Sequence, residues 1–366
     1  EIVVAASERQ AIATTFNLPN ERIQEVPPAH VLLVRRDGSH RLVPFAEAGE
    51  RRSCTFERIY FSRGNDADIY RERKALGDVL TPRVLAAIDG DLDRSVFSFI
   101  PNTAFVAFWG LMKGLEDHLN RLKRDDILAL GPSPAPEAVD AVLQRRVRVE
   151  NLVLKDTKLR TFITDESARD RMAAHVYDIT YGAIRPGEDQ LVCVDDSIVR
   201  GTTLRQSILR MLARLRPRRI LIVSSAPQIR YPDCYGIDMS QIERFIAFQA
   251  AVSLLRSSGR EHVLTEVYER CQELRQSDQL EAENAVKAVY APFSQEELSA
   301  EIGRLLGQDM DCEVGVVYQR VADLHRAIPE HTGDWYFTGN FPTPGGNRVT
   351  NQAFLNFYEG THARAY

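Results

Sequence analysis

Asp195 and Asp196 stand side by side at the end of a short apolar run, Leu191-Val192-Cys193-Val194, and lead directly into Ser197-Ile198-Val199-Arg200-Gly201-Thr202-Thr203. The run has the composition of a strand covered on both faces. The loop brings three hydroxyls, an arginine and a glycine ahead of a helix whose Leu204, Ile208, Met211, Leu212 and Leu215 recur at helical spacing. Backbone N–H groups at the start of a helix point into such a loop and favour an anion, and Gly201 lets the backbone come close to it. Two carboxylates beside this cradle would repel a bare polyphosphate. They accept hydrogen bonds well from two vicinal hydroxyls of a sugar whose 5′-phosphate lies in the loop. The expected ligand is therefore a ribose 5-phosphate, and the plainer alternative is a capped strand-to-helix junction with no ligand.

Other stretches carry the same chemistry more weakly. Ser95–Ile100 reads as a strand, Pro101-Asn102-Thr103-Ala104 as a turn, and Phe105 to about Leu122 as a helix, which makes a second anion pocket or an ordinary turn capped by Asn or Thr. Lys155, Lys158, Arg160 and Thr161 form a basic cluster that serves either a phosphate or a solvated face. Arg218–Ser225, bounded by Pro217 and Pro227, is a further strand. Alternation of strand, helix and strand is the signature of a parallel α/β sheet. No G-x-G-x-x-G follows a strand, which sets aside a dinucleotide fold.

The rest of the chain must position these groups. It has 366 residues, enough for two domains or one large domain with an appendage. A net charge of −5 leaves no basic footprint for nucleic acid, so anion binding has to be local. Apolar stretches such as Ile220–Val223 and the region of Phe97–Met112 are too short or too interrupted to cross a bilayer. Five cysteines without a C-x-x-C pair, Cys54, Cys193, Cys234, Cys271 and Cys312, suit a reducing cytoplasm better than a disulfide or zinc framework. The sequence opens at Glu1 without a signal-like segment, and Ile2–Ala5 reads as a strand already inside a domain, so a fragment is expected. His30–Arg35 and Arg41–Pro44 flank Asp37-Gly38 as a hairpin. Ile59-Tyr60-Phe61 reads as an aromatic strand and Ile69–Leu80 as a charge-laced helix. The Gly131–Pro136 breaker and the charged helix after it look like a surface insertion. Residues 240–308 read as almost entirely helical, with Ile242, Phe245, Ile246, Ala250 and Leu254 on one face.

Val194–Thr203 resembles the phosphoribosyl-pyrophosphate (PRPP) motif of type I phosphoribosyltransferases, and in the wording SIVRGTT it resembles the amidophosphoribosyltransferases. Further likenesses run in register: Ala6-Ser7-Glu8, Cys54–Arg63, Arg160-Thr161-Phe162-Ile163, Ala226–Pro232, Tyr235–Met239 and Phe337–Thr343. The resemblance implies an α/β, type I phosphoribosyltransferase fold with helical insertions and a partial N-terminal β segment. Residues 1–53 would close a glutamine amidotransferase domain whose nucleophilic cysteine is not in this sequence, 54–239 would form the phosphoribosyltransferase domain, and 240–366 a helical insertion and C-terminal extension packed on it.

The same resemblance implies the chemistry: ammonia derived from glutamine displaces pyrophosphate from PRPP to give 5-phosphoribosylamine, the first step of de novo purine synthesis. Ser197, Ile198, Val199, Arg200, Gly201, Thr202 and Thr203 would hold the 5′-phosphate, and Pro101, Asn102, Thr103 and Ala104 the pyrophosphate. Asp195 and Asp196 would bind the ribose hydroxyls and Mg²⁺, with Arg160 as a flap contact. The flap departs from the family pattern, in that a lysine of the family falls near Asp178. Some relatives ligate an iron–sulfur cluster. Gly333, Tyr336 and Asp233 stand at three of its cysteine positions and only Cys54 is in register, so no cluster is expected, since one thiolate cannot hold one. Purine nucleotide effectors and a homodimer or homotetramer are further expectations. The rival readings are a non-catalytic PRPP- or nucleotide-binding regulatory homologue and a phosphoribosyltransferase with a base as acceptor.

Overall fold

The computed structural model describes residues 2–155, 177–202, 204–235, 239–361 and 363–365. The chain begins with an extended segment, a short helix α1 (Arg9–Phe16) and a hairpin of β1 (His30–Val34) and β2 (His40–Pro44), paired antiparallel with Leu32 opposite Leu42. The hairpin is as expected, with Gly38 at φ +85° in its turn. Ile2–Ala5 is not a strand: no described segment pairs with it, and Ile2 is 80% exposed.

The aromatic strand expected at Ile59–Phe61 is instead one wide helical turn, Glu57–Phe61. Phe56 and Ile59 are the buried residues there, and their spacing of three suits a helix rather than the alternation of a strand. Helix α2 (Ala67–Ala87) starts where the Asp66 carboxylate accepts from the N–H groups of Asp68 and Ile69. It is followed by β3 (Ser95–Phe99), α3 (Phe105–Ala129), α4 (Pro136–Leu143), β4 (Arg148–Val149) and the small antiparallel pair β5 (Val153–Lys155) and β6 (Tyr177–Ile179). Helices α2 and α3 cross at glycines: a Cβ on Gly77 would lie 1.8 Å from the Ala107 carbonyl oxygen, and one on Gly110 1.9 Å from that of Lys74. Backbones this close exclude any larger residue at the crossing.

After β7 (Gln190–Asp195) come the wide turn Leu204–Leu209, α5 (Arg210–Ala213) and β8 (Arg219–Ser224). The region after 240 is largely helical, as read: α6 (Ile246–Ser257), α7 (His262–Gln276), α8 (Lys287–Tyr290) and α9 (Gln295–Leu306), the last opened by a capping box between Ser294 and Glu297. Then β9 (Glu313–Tyr318) returns the chain to the sheet, before α10 (Val321–Ala327), α11 (Trp335–Thr338) and α12 (Pro344–Tyr358). The sheet is parallel, in the order β4-β3-β7-β8-β9. Its fifth strand thus comes from the stretch read as insertion and extension.

Both faces of the sheet are covered, which is why its strands are apolar on alternate as well as adjacent positions. Val192, Val194, Leu221, Val223 and Val317 pack with Leu80, Val84, Phe108, Leu111 and Leu115 of α2 and α3. Leu191, Cys193, Ile220, Ile222 and Val316 face the other way, toward Ile208, Leu212, Phe248, Ile302 and Leu306. Burying each such side chain stabilises the fold by about 1.5–3 kcal/mol. Among the described residues no helix is long and apolar enough to cross a membrane, and the five cysteines are free thiols.

Candidate active site

From β3 the chain steps outward to β4, and from β7 it steps the other way to β8 and β9. The loops after β3 and β7 therefore diverge and leave a crevice between them at the C-terminal ends of the strands, the place where open α/β sheets bind ligands. These are the two loops the sequence singles out. The strands beneath them are in register, with Phe99 opposite Val194, and Ile100 N–H donates to the Val194 carbonyl at 2.8 Å.

Asp195 is the last residue of β7. Its carboxylate accepts from the N–H of Asp196 at 2.9 Å, while the carbonyls of Asp195 and Asp196 are held by the N–H groups of Ser225 and Ala226 at 2.9 and 3.0 Å. The Asp196 carboxylate accepts from the Ser197 hydroxyl at 3.0 Å, and Thr103 of the facing loop favours its charge. Burial, then the neighbouring charge of Asp196, pushes the Asp195 carboxyl well above the usual range. Burial pushes Asp196 up as well, opposed by the hydroxyls of Ser197 and Thr103 and by the charge of Arg73. Such a pair is acceptor-rich and starved of donors, which suits two sugar hydroxyls or a cation.

The phosphate loop is supported from behind. Gly201 has φ +68°, and a Cβ there would lie 3.1 Å from Leu306 Cδ2 and 3.4 Å from Ile246 Cγ1. The Val199 carbonyl accepts from Ile246 N–H at 2.9 Å, and the Gly201 carbonyl from Arg205 N–H at 2.8 Å. Ile198 is buried, and Ser197, Val199, Arg200 and Gly201 are partly accessible. The helical region after 240 is therefore the back wall of this loop. Thr203 lies outside the described residues. The helix stripe read from the sequence holds: Leu204, Ile208, Met211, Leu212 and Leu215 are all buried.

Pro101–Ala104 joins β3 to α3, with its Pro101-Asn102 peptide cis and Ala104 fully buried. Pro101 and Asn102 line a cavity of about 400 Å³ together with Phe99, Phe105, Asn151, Val153 and Leu154. Of the flap, Lys155 ends β5, and Asp178 is exposed on β6 opposite Leu154. Lys158, Arg160 and Thr161 lie outside the described residues. A second cavity, about 1300 Å³, runs along the N-terminal segment between Ile2–Val26 and Glu57–Glu72, away from the acid pair.

Sequence reasoning missed three side chains that interact electrostatically with the acid pair. Arg73 reads as part of a solvated charged helix yet is 5% exposed. Its position in the series Ile69, Arg73, Leu76, Leu80 was the available signal, because that series is the buried face of α2. Tyr60, half-exposed, has its phenol pushed up by burial and by the charges of Asp196 and Asp195. Tyr318 ends β9 with a buried hydroxyl that has no hydrogen-bond partner among the described residues, and burial and Asp195 push it up too.

The positions that the resemblance aligns with iron–sulfur ligands come together here with other chemistry. Cys54 and Gly333 face each other in a bridge, with Gly333 N–H donating to Ser53 at 2.8 Å and Thr55 N–H to Gly333 at 2.9 Å. The Tyr336 hydroxyl donates to the buried Asp233 carboxylate. A Cβ at Gly333 would lie 2.2 Å from Trp335 Cζ3 and 2.4 Å from the Ser53 carbonyl oxygen. Burial pushes the Cys54 thiol up to about 11, away from the thiolate a metal needs. These residues do not fit a cluster.

The open parallel sheet, with a phosphate-type loop at its switch point and a second loop facing it, is a type I phosphoribosyltransferase fold. Two solved structures share it: one titled the allosteric regulatory enzyme of purine biosynthesis, at TM-score 0.51 and 22% identity over 88% of this chain and 52% of that one, and glutamine phosphoribosylpyrophosphate amidotransferase from Bacillus subtilis complexed with ADP and GMP, at TM-score 0.50 and 23% identity over 88% and 53%. No family model matches the chain. Among curated proteins it is similar to the amidophosphoribosyltransferases of Pseudomonas aeruginosa, 28% identical over 62% of this chain and 39% of that enzyme, and of Escherichia coli, 24% identical over 69% and 44%. That of Bacillus subtilis is 26% identical over 64% and 42%. The chain is thus a relative of the amidophosphoribosyltransferases, and it spans about two fifths of the length of the curated relatives it matches.

Proposed function

We propose that the chain binds PRPP in the crevice between β3 and β7 and replaces its pyrophosphate by ammonia. The observation that carries this reading is the adjacent pair Asp195 and Asp196 at the end of β7, set directly before the Ser197–Gly201 loop and beside β3, whose Phe99 is opposite Val194 and which leads into the 101–104 loop. A ligand with a phosphate at one end, two vicinal hydroxyls in the middle and a pyrophosphate at the other matches that order of groups. The nitrogen lone pair forms the bond to C1 as the C1–oxygen bond breaks. Pyrophosphate leaves with the electron pair, and the ammonium nitrogen gives up a proton to solvent. Charge develops on the ribose ring and the leaving group, so positioning and electrostatics supply most of the catalysis. Mg²⁺ would neutralise the pyrophosphate; Asp195 and Asp196 are the oxygen donors that suit it, as one or two carboxylates plus substrate oxygens usually do.

Residues 1–53 would belong to a glutamine-hydrolysing unit that supplies the ammonia. In support, Ala13 is the only buried residue before Ser53 among those described, while Phe16, Val31, Leu33, Val34 and Phe45 are exposed. A two-stranded hairpin without a core is marginal alone. The second reading, a PRPP or nucleotide sensor, is favoured by Asp178, an exposed acid on β6 in the region where the flap of the family carries a lysine. One assay separates the two. Protein, PRPP, Mg²⁺ and ammonium chloride are mixed and pyrophosphate is measured: release that requires ammonium supports the transferase, binding without release supports the sensor, and neither sinks both.

A further inference from the structure

Tyr318 closes β9 at the level where Asp195 closes β7. The register runs straight across three strands: Asp195 is paired with Ser224, and Ser224 with Tyr318. Residues level with one another in a parallel sheet send their side chains to the same face. Here it is the face of Cys193, Ile222 and Val316, each two residues earlier on its strand. A carboxylate, a serine hydroxyl and a phenol therefore share one row along the C-terminal rim of the sheet. Asp195 and Tyr318 are two strand spacings apart, about 10 Å between Cα atoms. A tyrosine is long enough to cross most of that gap, and the residue between is small. The charge that the Tyr318 phenol feels is that of Asp195, in keeping with this row.

The hydroxyl has no partner among the described residues, although Tyr318 is wholly buried. A buried hydroxyl left unpaired is unfavourable, and a phenylalanine would fill the same space without that penalty. Asp195 has the opposite need. Its carboxylate accepts from the N–H of Asp196, and with about four acceptor sites in all it has room for further donors. Ser224 Oγ donates to the Ala226 carbonyl at 2.9 Å and keeps its lone pairs. One donor and two acceptors in a row suit a single buried water, which normally makes about three hydrogen bonds.

Resting on the PRPP reading above, we propose that Tyr318 is a positioning residue for the ribose: its hydroxyl donates to a water held between Asp195 and Ser224, and that water fixes the direction in which the Asp195 carboxylate meets the sugar hydroxyls. The rival is an idle hydroxyl on a ring that only packs.

The test compares wild type, Tyr318→Phe and Val316→Ala in the full chain, by calorimetric titration with PRPP in Mg²⁺ and by thermal scan. Y318F keeps the ring and removes only the donor. Outer partners of ligating side chains are typically worth about 10- to 100-fold, so the loss of one relayed by water is expected to weaken PRPP binding by roughly 5- to 30-fold, with Tm no higher than wild type. An idle hydroxyl predicts the opposite pair: unchanged PRPP affinity, and a Tm raised by about 1–4 °C because an unpaired buried group has gone. V316A opens a cavity on the same strand and face but touches no hydroxyl, so it should lower Tm and leave PRPP affinity within about twofold of wild type. Should V316A not fold, Val314→Ala on the same face replaces it. Wild-type PRPP affinity in Y318F overturns the proposal, as does a raised Tm in that variant. So do equal PRPP losses in Y318F and the valine variant, which would mean that the end of β9 is merely loosened. Failure of the wild-type chain to bind PRPP overturns the underlying reading instead, a result distinct from the others.

Discussion

Replacing Gly201 by alanine tests whether the loop after Asp196 is held in the shape a phosphate needs. The residue sits at φ +68°, where a side chain costs about 1–2 kcal/mol that glycine does not pay. The added methyl also meets Leu306 Cδ2 at 3.1 Å, but that is the far end of a flexible side chain and yields by a few tenths of an ångström, so the backbone term dominates. Two outcomes share this free energy. If the Val199–Ile246 and Gly201–Arg205 hydrogen bonds keep the loop in place, the strain appears as lost stability: with an unfolding entropy of about 0.8 kcal/mol/K for 366 residues, Tm falls by about 1–3 °C. If the loop relaxes to negative φ, stability is spared, the amides after Gly201 turn away, and PRPP binds about 5- to 30-fold more weakly. Calorimetry measures both, by a thermal scan and a titration on the same sample. A variant with wild-type Tm and wild-type PRPP affinity would refute the argument that this glycine is required by its conformation.

Tyr336→Phe keeps the ring, which packs against Phe56 at 5.5 Å, and removes only the donor to Asp233; a hydrogen bond to a buried charged group is worth about 1.5–3 kcal/mol, so chemical denaturation should show a loss of that size. An unchanged midpoint and slope would mean the bond carries no stability. Asp189→Asn probes acid sensitivity. Burial opposes ionisation of Asp189, but bonds from Arg148, from the N–H of Arg185 and from its guanidinium outweigh it and hold the carboxyl at about 2. A depressed pKa stabilises the fold above the unfolded value, near 4, and that contribution of about 2 kcal/mol is lost as pH falls from about 4 to 2. The variant should therefore be less stable at pH 7 by roughly that amount and lose less than wild type on going to pH 3, which urea unfolding at the two pH values reads directly.

The centre of the fold was legible because its signals are local. Leu191–Val194 are apolar on both faces, and the acids, the glycine and the helix stripe follow within twenty residues. What escaped depends on partners distant in sequence. Glu313–Tyr318 carries three valines broken by Gly315 and gives no strand signal of its own; it becomes a strand because β8 offers a free edge. Ile59-Tyr60-Phe61 has the composition of a strand, but Arg73 takes up the carbonyls at the turn's two ends and Phe56 and Ile59 find a common core. Arg73 itself was hidden by its charge, since an arginine among Tyr70, Arg71, Glu72 and Lys74 looks solvated until the carbonyls of Arg58 and Ser62 that it meets are known.

The position of β9 at the end of the sheet has a consequence for how the molecule is made. Some ninety residues of largely helical chain separate it from β8, so the growing polypeptide carries Arg219–Ser224 as a bare, strongly apolar edge until residue 318 has emerged. Open edges of that kind recruit other strands, and long-range parallel pairing closes slowly. Synthesis halted anywhere between 225 and 312 should therefore yield aggregates rather than a smaller working core, and the helices that look dispensable by sequence are the tether that brings the last strand home.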